Sequence, residues 1–200
     1  MRLNLLETAL MNNPLRAVLQ RRIEAHRLLE LGGGLGEGRA LEIGCGRGVG
    51  VEIILDTFGA ASVDAFDLDP RMIARARQRI HDRGGRARLW VGDATALPLP
   101  SERYDAVFDF GILHHVEDWR RAILEVRRVL RPGGRFYGEE VYSHIVTHPL
   151  WRRLLHHPQK DRFDHDQLSR ALSDAGLRVV GSREVRGWFG WIVAERSVNR

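Results

Sequence analysis

Two hundred residues, 44% hydrophobic and 28% charged, have the size and balance of one globular domain and exclude a disordered tail or a fibrous repeat. No apolar stretch reaches the roughly 20 residues of a membrane span, and Glu7 interrupts the run that a cleaved signal needs, so neither membrane insertion nor secretion is expected. The single cysteine, Cys45, excludes an internal disulfide and a Cys-rich zinc site and suits a reducing cytoplasm; the net charge of +5 is spread among acids, with no block of five like charges.

The chain opens with a helical lead-in. Asn12 and Asn13 are capping residues, Pro14 suits a first helical turn and Gly32 stops the run, which predicts a helix over 15–31. Gly32 to Gly36 then reads as a flexible connector. From Arg39 short apolar runs alternate with helical ones. Strands are predicted at 40–43, 62–66, 87–91, 105–108 and 135–141, with helices at 49–58, 70–83 and 118–130 between them. Asp69 before Pro70 reads as a helix cap. Pro132-Gly133-Gly134 reads as the stop of the third of these helices. Residues 142–163 are irregular and hold Tyr142, His144, His148, Trp151, His156, His157 and Phe163. A helix from Asp164, with Gln167 at capping-box spacing, and two strands at 178–185 and 188–195 complete the chain. Alternating strands and helices predict a mostly parallel, doubly wound sheet with helices on both faces, and such sheets bind ligands at the carboxyl ends of their strands.

The first strand runs into Glu42-Ile43-Gly44-Cys45-Gly46-Arg47-Gly48-Val49-Gly50. Glycines there permit positive φ and close approach of a ligand, and the following helix offers free N–H groups. The phosphate-cradling loop needs Gly-Lys-Ser/Thr, but the one lysine is Lys160. The dinucleotide fingerprint G-x-G-x-x-G fails in both registers, at Val49 and at Val51.

What remains, E-x-G-x-G-x-G, resembles motif I of the class I S-adenosylmethionine-dependent methyltransferases. Four further segments follow in the family's order: Asp67 at the end of the second strand, Gly92-Asp93-Ala94 with Leu97-Pro98, Tyr104 to Val116, and Leu130-Arg131-Pro132-Gly133-Gly134-Arg135. The resemblance spans residues 39–141 and is nearest to the small-molecule branch, which includes the ubiquinone/menaquinone C-methyltransferases. It implies a Rossmann-like seven-stranded sheet with a reversed edge hairpin. It implies S-adenosyl-L-methionine as cofactor, S-adenosyl-L-homocysteine as product, and a small-molecule acceptor.

By that resemblance the cofactor residues are Glu42, Gly44, Cys45, Gly46, Gly48, Asp67, Leu68, Asp93, Ala94 and Phe110. Asp67 suits a ribose diol because a carboxylate accepts two hydrogen bonds, Asp93 the adenine amino group, and Leu68 the adenine face. Cys45 is then a small residue tolerated beside the ligand, and Asp105 stabilises a turn. Methyl transfer from a sulfonium is an in-line displacement in which the protein mainly positions the acceptor. A base is needed only where the reacting atom carries a proton. His114 and His115, after the fourth strand, and Glu140, near the end of the fifth, are the candidate catalytic residues. Alternation along the strand sends Glu139 and Glu140 to opposite faces. Residues 1–38 form a substrate cap, residues 39–200 the cofactor domain, and 142–163 an acceptor-side insertion. His144 and His148 stand four apart, but Pro149 follows and no acid completes a metal set, so no metal is expected.

Two other classes stay open. A tRNA or other nucleic-acid methyltransferase would use the arginines of 71–88, but Asp109-Phe110-Gly111-Ile112 stands where exocyclic-amine enzymes carry Asn/Asp-Pro-Pro-aromatic, and Cys45 lacks a Pro-Cys context. A non-catalytic S-adenosylmethionine-binding protein would keep the same loop. A monomer and a homodimer are both compatible with the sequence.

Overall fold

The computed structural model describes residues 14–143 and 161–198. The elements in chain order are α1 (Pro14–Leu19), a π-helical turn (Gln20–Glu24), α2 (Ala25–Gly32), β1 (Arg39–Ile43), α3 (Val49–Asp56), β2 (Ser62–Asp67), α4 (Pro70–Arg79) and β3 (Ala87–Val91). They continue with β4 (Tyr104–Phe110), a 3-10 turn (Leu113–His115), α5 (Trp119–Val129), β5 (Leu130–Val141), α6 (His165–Asp174), β6 (Leu177–Val185) and β7 (Phe189–Arg196). The seven strands form one sheet in the order β3-β2-β1-β4-β5-β7-β6. Strands β1 to β5 are parallel, while β7 runs antiparallel to both β5 and β6. The strand order reverses between β1 and β4, where a doubly wound sheet opens a crevice.

Each face of the sheet carries its own core. Ala25, Leu28, Phe58, Phe108, Phe110, Tyr137 and Trp191 belong to one; Val107, Trp119, Phe136, Tyr142, Phe163 and Leu168 belong to the other. Alternation explains the split, because Phe108 and Phe110 point one way and Val107 and Asp109 the other. Asp69 caps α4 by accepting from Arg71 N–H, and Asp164 and Gln167 form the expected capping box on α6.

Four expectations are corrected. Gly32 to Gly36 is not a flexible connector. Gly32 is packed so tightly that a Cβ would fall 2.4 Å from the Tyr137 ring, and its carbonyl accepts from Tyr137 at 2.9 Å and Arg135 at 2.6 Å. The lead-in helix is not uniform, since five of its residues form the π turn. Helix α4 ends at Arg79, and the Gly84-Gly85 pair behind it takes positive φ. The Pro132–Gly134 turn lies within β5, which starts at Leu130; pairing with β4 shifts register there because a proline lacks the N–H a ladder needs. Residues 144–160, with most of the histidines noted above, lie outside the described residues. No helix of the described residues is long and apolar enough to cross a membrane.

Candidate functional site

The carboxyl ends of β1 to β4 surround a cavity of about 470 Å³. Its walls include Glu42, Gly44, Cys45, Gly46, Asp67, Leu68, Asp93, Ala94, Phe110 and His115, which the sequence singled out. Gly48 is not among the lining residues. It caps α3 at φ 86°, and a Cβ there would lie 3.2 Å from Ala76, so its glycine serves helix-to-helix packing.

The loop after β1 is shaped by backbone. Gly44, Gly46 and Gly48 all have positive φ, and a Cβ on Gly44 would strike Ile112 at 2.3 Å. Asp67 fixes this loop: its Oδ2 accepts from Gly46 N–H at 2.9 Å and its Oδ1 from Asp69 N–H at 2.9 Å. Each oxygen keeps a lone pair for a ligand. Burial raises the Asp67 carboxyl above its ordinary value, against these two hydrogen bonds. Asp93 Oδ1 accepts from the Thr95 N–H and hydroxyl, both at 2.8 Å, which folds the loop after β3. Leu68 stands 43% exposed at the cavity wall and offers it an apolar surface.

Glu42 is the unusual member. It is buried, its Oε2 has no hydrogen-bond partner, and burial followed by repulsion from Asp67 and Asp109 pushes its carboxyl up to about 8. Gly50 makes room for it, since a Cβ at that position would fall 1.9 Å from Glu42 Oε1. Burial likewise pushes the Cys45 thiol up, so it is inert rather than nucleophilic.

On the other side of the cavity the two histidines separate. His115 lines it; His114 lies behind, with ring centroids 4.1 Å apart. His114 Nδ1 is 2.6 Å from Glu140 Oε2, and Glu140 Oε1 accepts from Leu113 N–H at 2.7 Å. Glu140 and its neighbour Asp109 are both buried, and burial raises both carboxyls, Glu140 to about 7. Asp109 holds the same turn from below by accepting from Ile112 N–H at 2.8 Å. Arg162 holds it from above, donating to the carbonyls of His114 at 2.7 Å and Val116 at 3.2 Å. Glu139 points to the opposite face, as alternation requires, and pairs with Arg16 at 3.2 Å.

The sequence does not single out Arg162, Asp109, Arg16, Gln20 or Glu24 as site residues. Of these, Gln20 of the π turn lines the cavity, while Asp109 and Arg162 hold the turn that carries His115. Gly50 carried a readable signal, as the last glycine of its loop. Among the described residues no group of three His, Cys, Asp or Glu side chains could hold a metal ion.

A seven-stranded sheet in this order, with a glycine loop at the switch point and an acid closing β2, defines a Rossmann-like class I methyltransferase fold. The solved structure of a SAM-dependent methyltransferase from Aquifex aeolicus shares it, with a TM-score of 0.76 at 20% identity over 98% of this chain and 100% of that one. Residues 41–138 match the family described as "Methyltransferase domain". The chain is 33% identical over 147 residues to a fatty-acid O-methyltransferase of Mycolicibacterium smegmatis, covering 74% of this chain and 46% of that protein. It is 35% identical over 167 residues to a ubiquinone/menaquinone biosynthesis C-methyltransferase of Methylobacterium nodulans, covering 82% and 56%. This region is a class I S-adenosylmethionine-dependent methyltransferase domain. The chain spans about half the length of these curated relatives.

Proposed function

We propose that this protein binds S-adenosyl-L-methionine in the cavity above β1 to β4 and transfers its methyl group to a small-molecule acceptor. The observation that carries the reading is Asp67. Its carboxylate is locked by two backbone N–H groups beside the positive-φ glycine loop, with lone pairs left facing the cavity. The unpartnered Glu42 Oε2 supports the fit, because a buried carboxyl without a partner suits the cationic amino-acid end of the cofactor. Asp67 holds the ribose hydroxyls, Asp93 and Leu68 the adenine, and Gly44, Cys45 and Gly46 the chain between them. Ala94 and Phe110 complete the walls. The cofactor, when bound, supplies the electrophilic methyl group.

The protein's own work is orientation and proton transfer. His115 faces the cavity and takes the acceptor's proton where the acceptor carries one. His114 and Glu140 act through His115 as positioning residues: the 2.6 Å contact fixes the His114 ring, and the His114 ring packs against His115. Residues 14–38 cap the acceptor side; most of the expected acceptor-side insertion, 144–160, lies outside the described residues. The aliphatic and quinone-type relatives favour a small, largely apolar acceptor.

Titration of the protein with S-adenosyl-L-homocysteine by calorimetry tests the reading. Micromolar binding is expected, weakened roughly 10- to 100-fold in Asp67→Ala, the worth of hydrogen bonds to a charged group. Absence of binding by the unsubstituted protein overturns it.

A further inference from the structure

A helix packed on a sheet ordinarily turns its apolar residues inward and its charges outward. The stretch from Val18 to Glu24 does the reverse. Gln20 lines the cavity, Arg21 pairs with buried Glu52, and Glu24 is buried against Arg16. Val18, Leu19 and Ile23 face solvent instead, 51%, 43% and 47% exposed, and Arg22 and His26 are exposed beside them. These residues form one outward face, because a π turn brings positions four to five apart into line. The one acid among residues 18–26, Glu24, is turned inward.

The surroundings of this face are cationic. Arg21, Arg79 and Arg83 converge on the single carboxylate of Glu52, and Arg83 also reaches Asp56. Arg47, on the cavity wall, is lowered by burial and then by the nearby charges of Arg79 and Arg75. Asp69 at the same wall is taken by Arg71. The exposed acids Glu117 and Asp118 follow the His115 turn, on the other side of the cavity. A further exposed apolar residue stands at this end of the sheet. Phe189, at the start of β7, pairs with Val141 at the end of β5, so the turn over 186–188 lies at the end where the cavity opens. Trp188 in that turn is 45% exposed beside exposed Arg186. Helix α1 lies near the same end, since Arg16 reaches Glu139 on β5.

We infer that this face docks on an anionic lipid surface, with Val18, Leu19 and Ile23 entering the headgroup layer and Arg22 and its neighbouring arginines meeting lipid phosphates. The chemistry selects lipid among anionic surfaces. Aliphatic side chains gain by leaving water for acyl chains, a guanidinium grips phosphate with two N–H groups, and an exposed tryptophan suits the headgroup level. Nucleic acid would use the arginines, but it is held by stacking on aromatic rings, and the aliphatic centre of this face offers it nothing. The protein would lie on the surface rather than across it, since no described helix is long and apolar enough to span a membrane. The docking goes beyond the methyltransferase reading; only its use rests on that reading. Gln20 and Arg47 place the cavity beside the face, so an apolar acceptor held in a bilayer would enter without crossing bulk water.

Co-sedimentation of the full chain with vesicles tests the docking. Vesicles of phosphatidylcholine alone are compared with vesicles in which about a third is phosphatidylglycerol, and the anionic ones are expected to bind at least 10-fold tighter. The whole chain is cationic, so a substitution that leaves charge unchanged decides the matter. Leu19→Ser combined with Ile23→Ser is expected to lose about 10-fold of the affinity for anionic vesicles. Arg22→Gln is expected to lose about 5-fold. Arg170→Gln makes the same charge change on α6, which packs on the other sheet face, and is expected to lose less than about 2-fold. The substituted positions are exposed, so affinity for S-adenosyl-L-homocysteine is expected to stay unchanged. Unaltered vesicle binding by the double variant, equal losses in Arg22→Gln and Arg170→Gln, or no preference for anionic vesicles overturns the docking. So does binding of bulk tRNA in place of vesicles. So does a dimer that the double variant dissolves, because the face would then belong to a second copy. Failure of the unsubstituted protein to bind S-adenosyl-L-homocysteine overturns the methyltransferase reading alone, since the vesicle result decides the docking.

Discussion

The two halves of the site are built by different means. Around β1 to β3 the geometry is made by backbone: glycines with positive φ, and carboxylates whose oxygens accept from N–H groups of Gly46, Asp69 and Thr95. Around β4, β5 and the lead-in helix it is made by buried side chains meeting one another. His114 meets Glu140, Arg162 clasps the turn 48 residues before it, and Arg16 reaches Glu139 across 123 residues of chain. A backbone cradle tolerates side-chain variation and suits a ligand that never changes. A buried side-chain array is altered by single substitutions and suits a ligand that differs between relatives.

The sharpest way to break this comparison is to remove the base proposed for the acceptor half. His115→Ala is expected to lower turnover roughly 100-fold or more with an acceptor whose reactive atom is protonated, while product affinity stays within about 2-fold. Transfer assays with radiolabelled cofactor over a panel of phenols, alcohols, fatty acids and amines check it. A fall in product binding instead would move His115 into the cofactor's half. Smaller, and sharpening rather than breaking, is Arg162→Ala. It frees the carbonyls of His114 and Val116, so turnover is expected to fall about 5- to 10-fold with product affinity unchanged. Arg162→Lys, a single point charge in place of a fork, is expected to recover only part of the loss.

A stability measurement rather than an activity tests the cradle. Glu42 keeps its proton to about 8 in the folded chain against 4.5 when exposed. The unfolded chain therefore ionises first, and the folded state loses stability as pH rises through this window. The loss by Glu42 amounts to no more than a few kcal/mol, complete near pH 8. Glu42→Gln removes this part of the slope, which denaturant titrations between pH 5 and 8 read as a difference from the unsubstituted protein. Identical slopes would place Glu42 in contact with water.

The sequence alone determined the sheet, because strand and helix periodicities are local and each is bounded by a cap or a glycine. It also determined the cradle. Nine of the ten expected cofactor residues line the cavity, since each sits at a strand end where a backbone turn fixes its direction. Gly48 departs because a glycine required by helix packing looks the same in sequence as one required by a ligand. Tertiary structure alone decided the other half. Glu140 and Glu139 are adjacent in the chain, yet one meets His114 and the other Arg16, on opposite faces. Which acid meets which base depends on sheet register and on where the lead-in helix packs, and burial, not residue type, sets the charge each one carries.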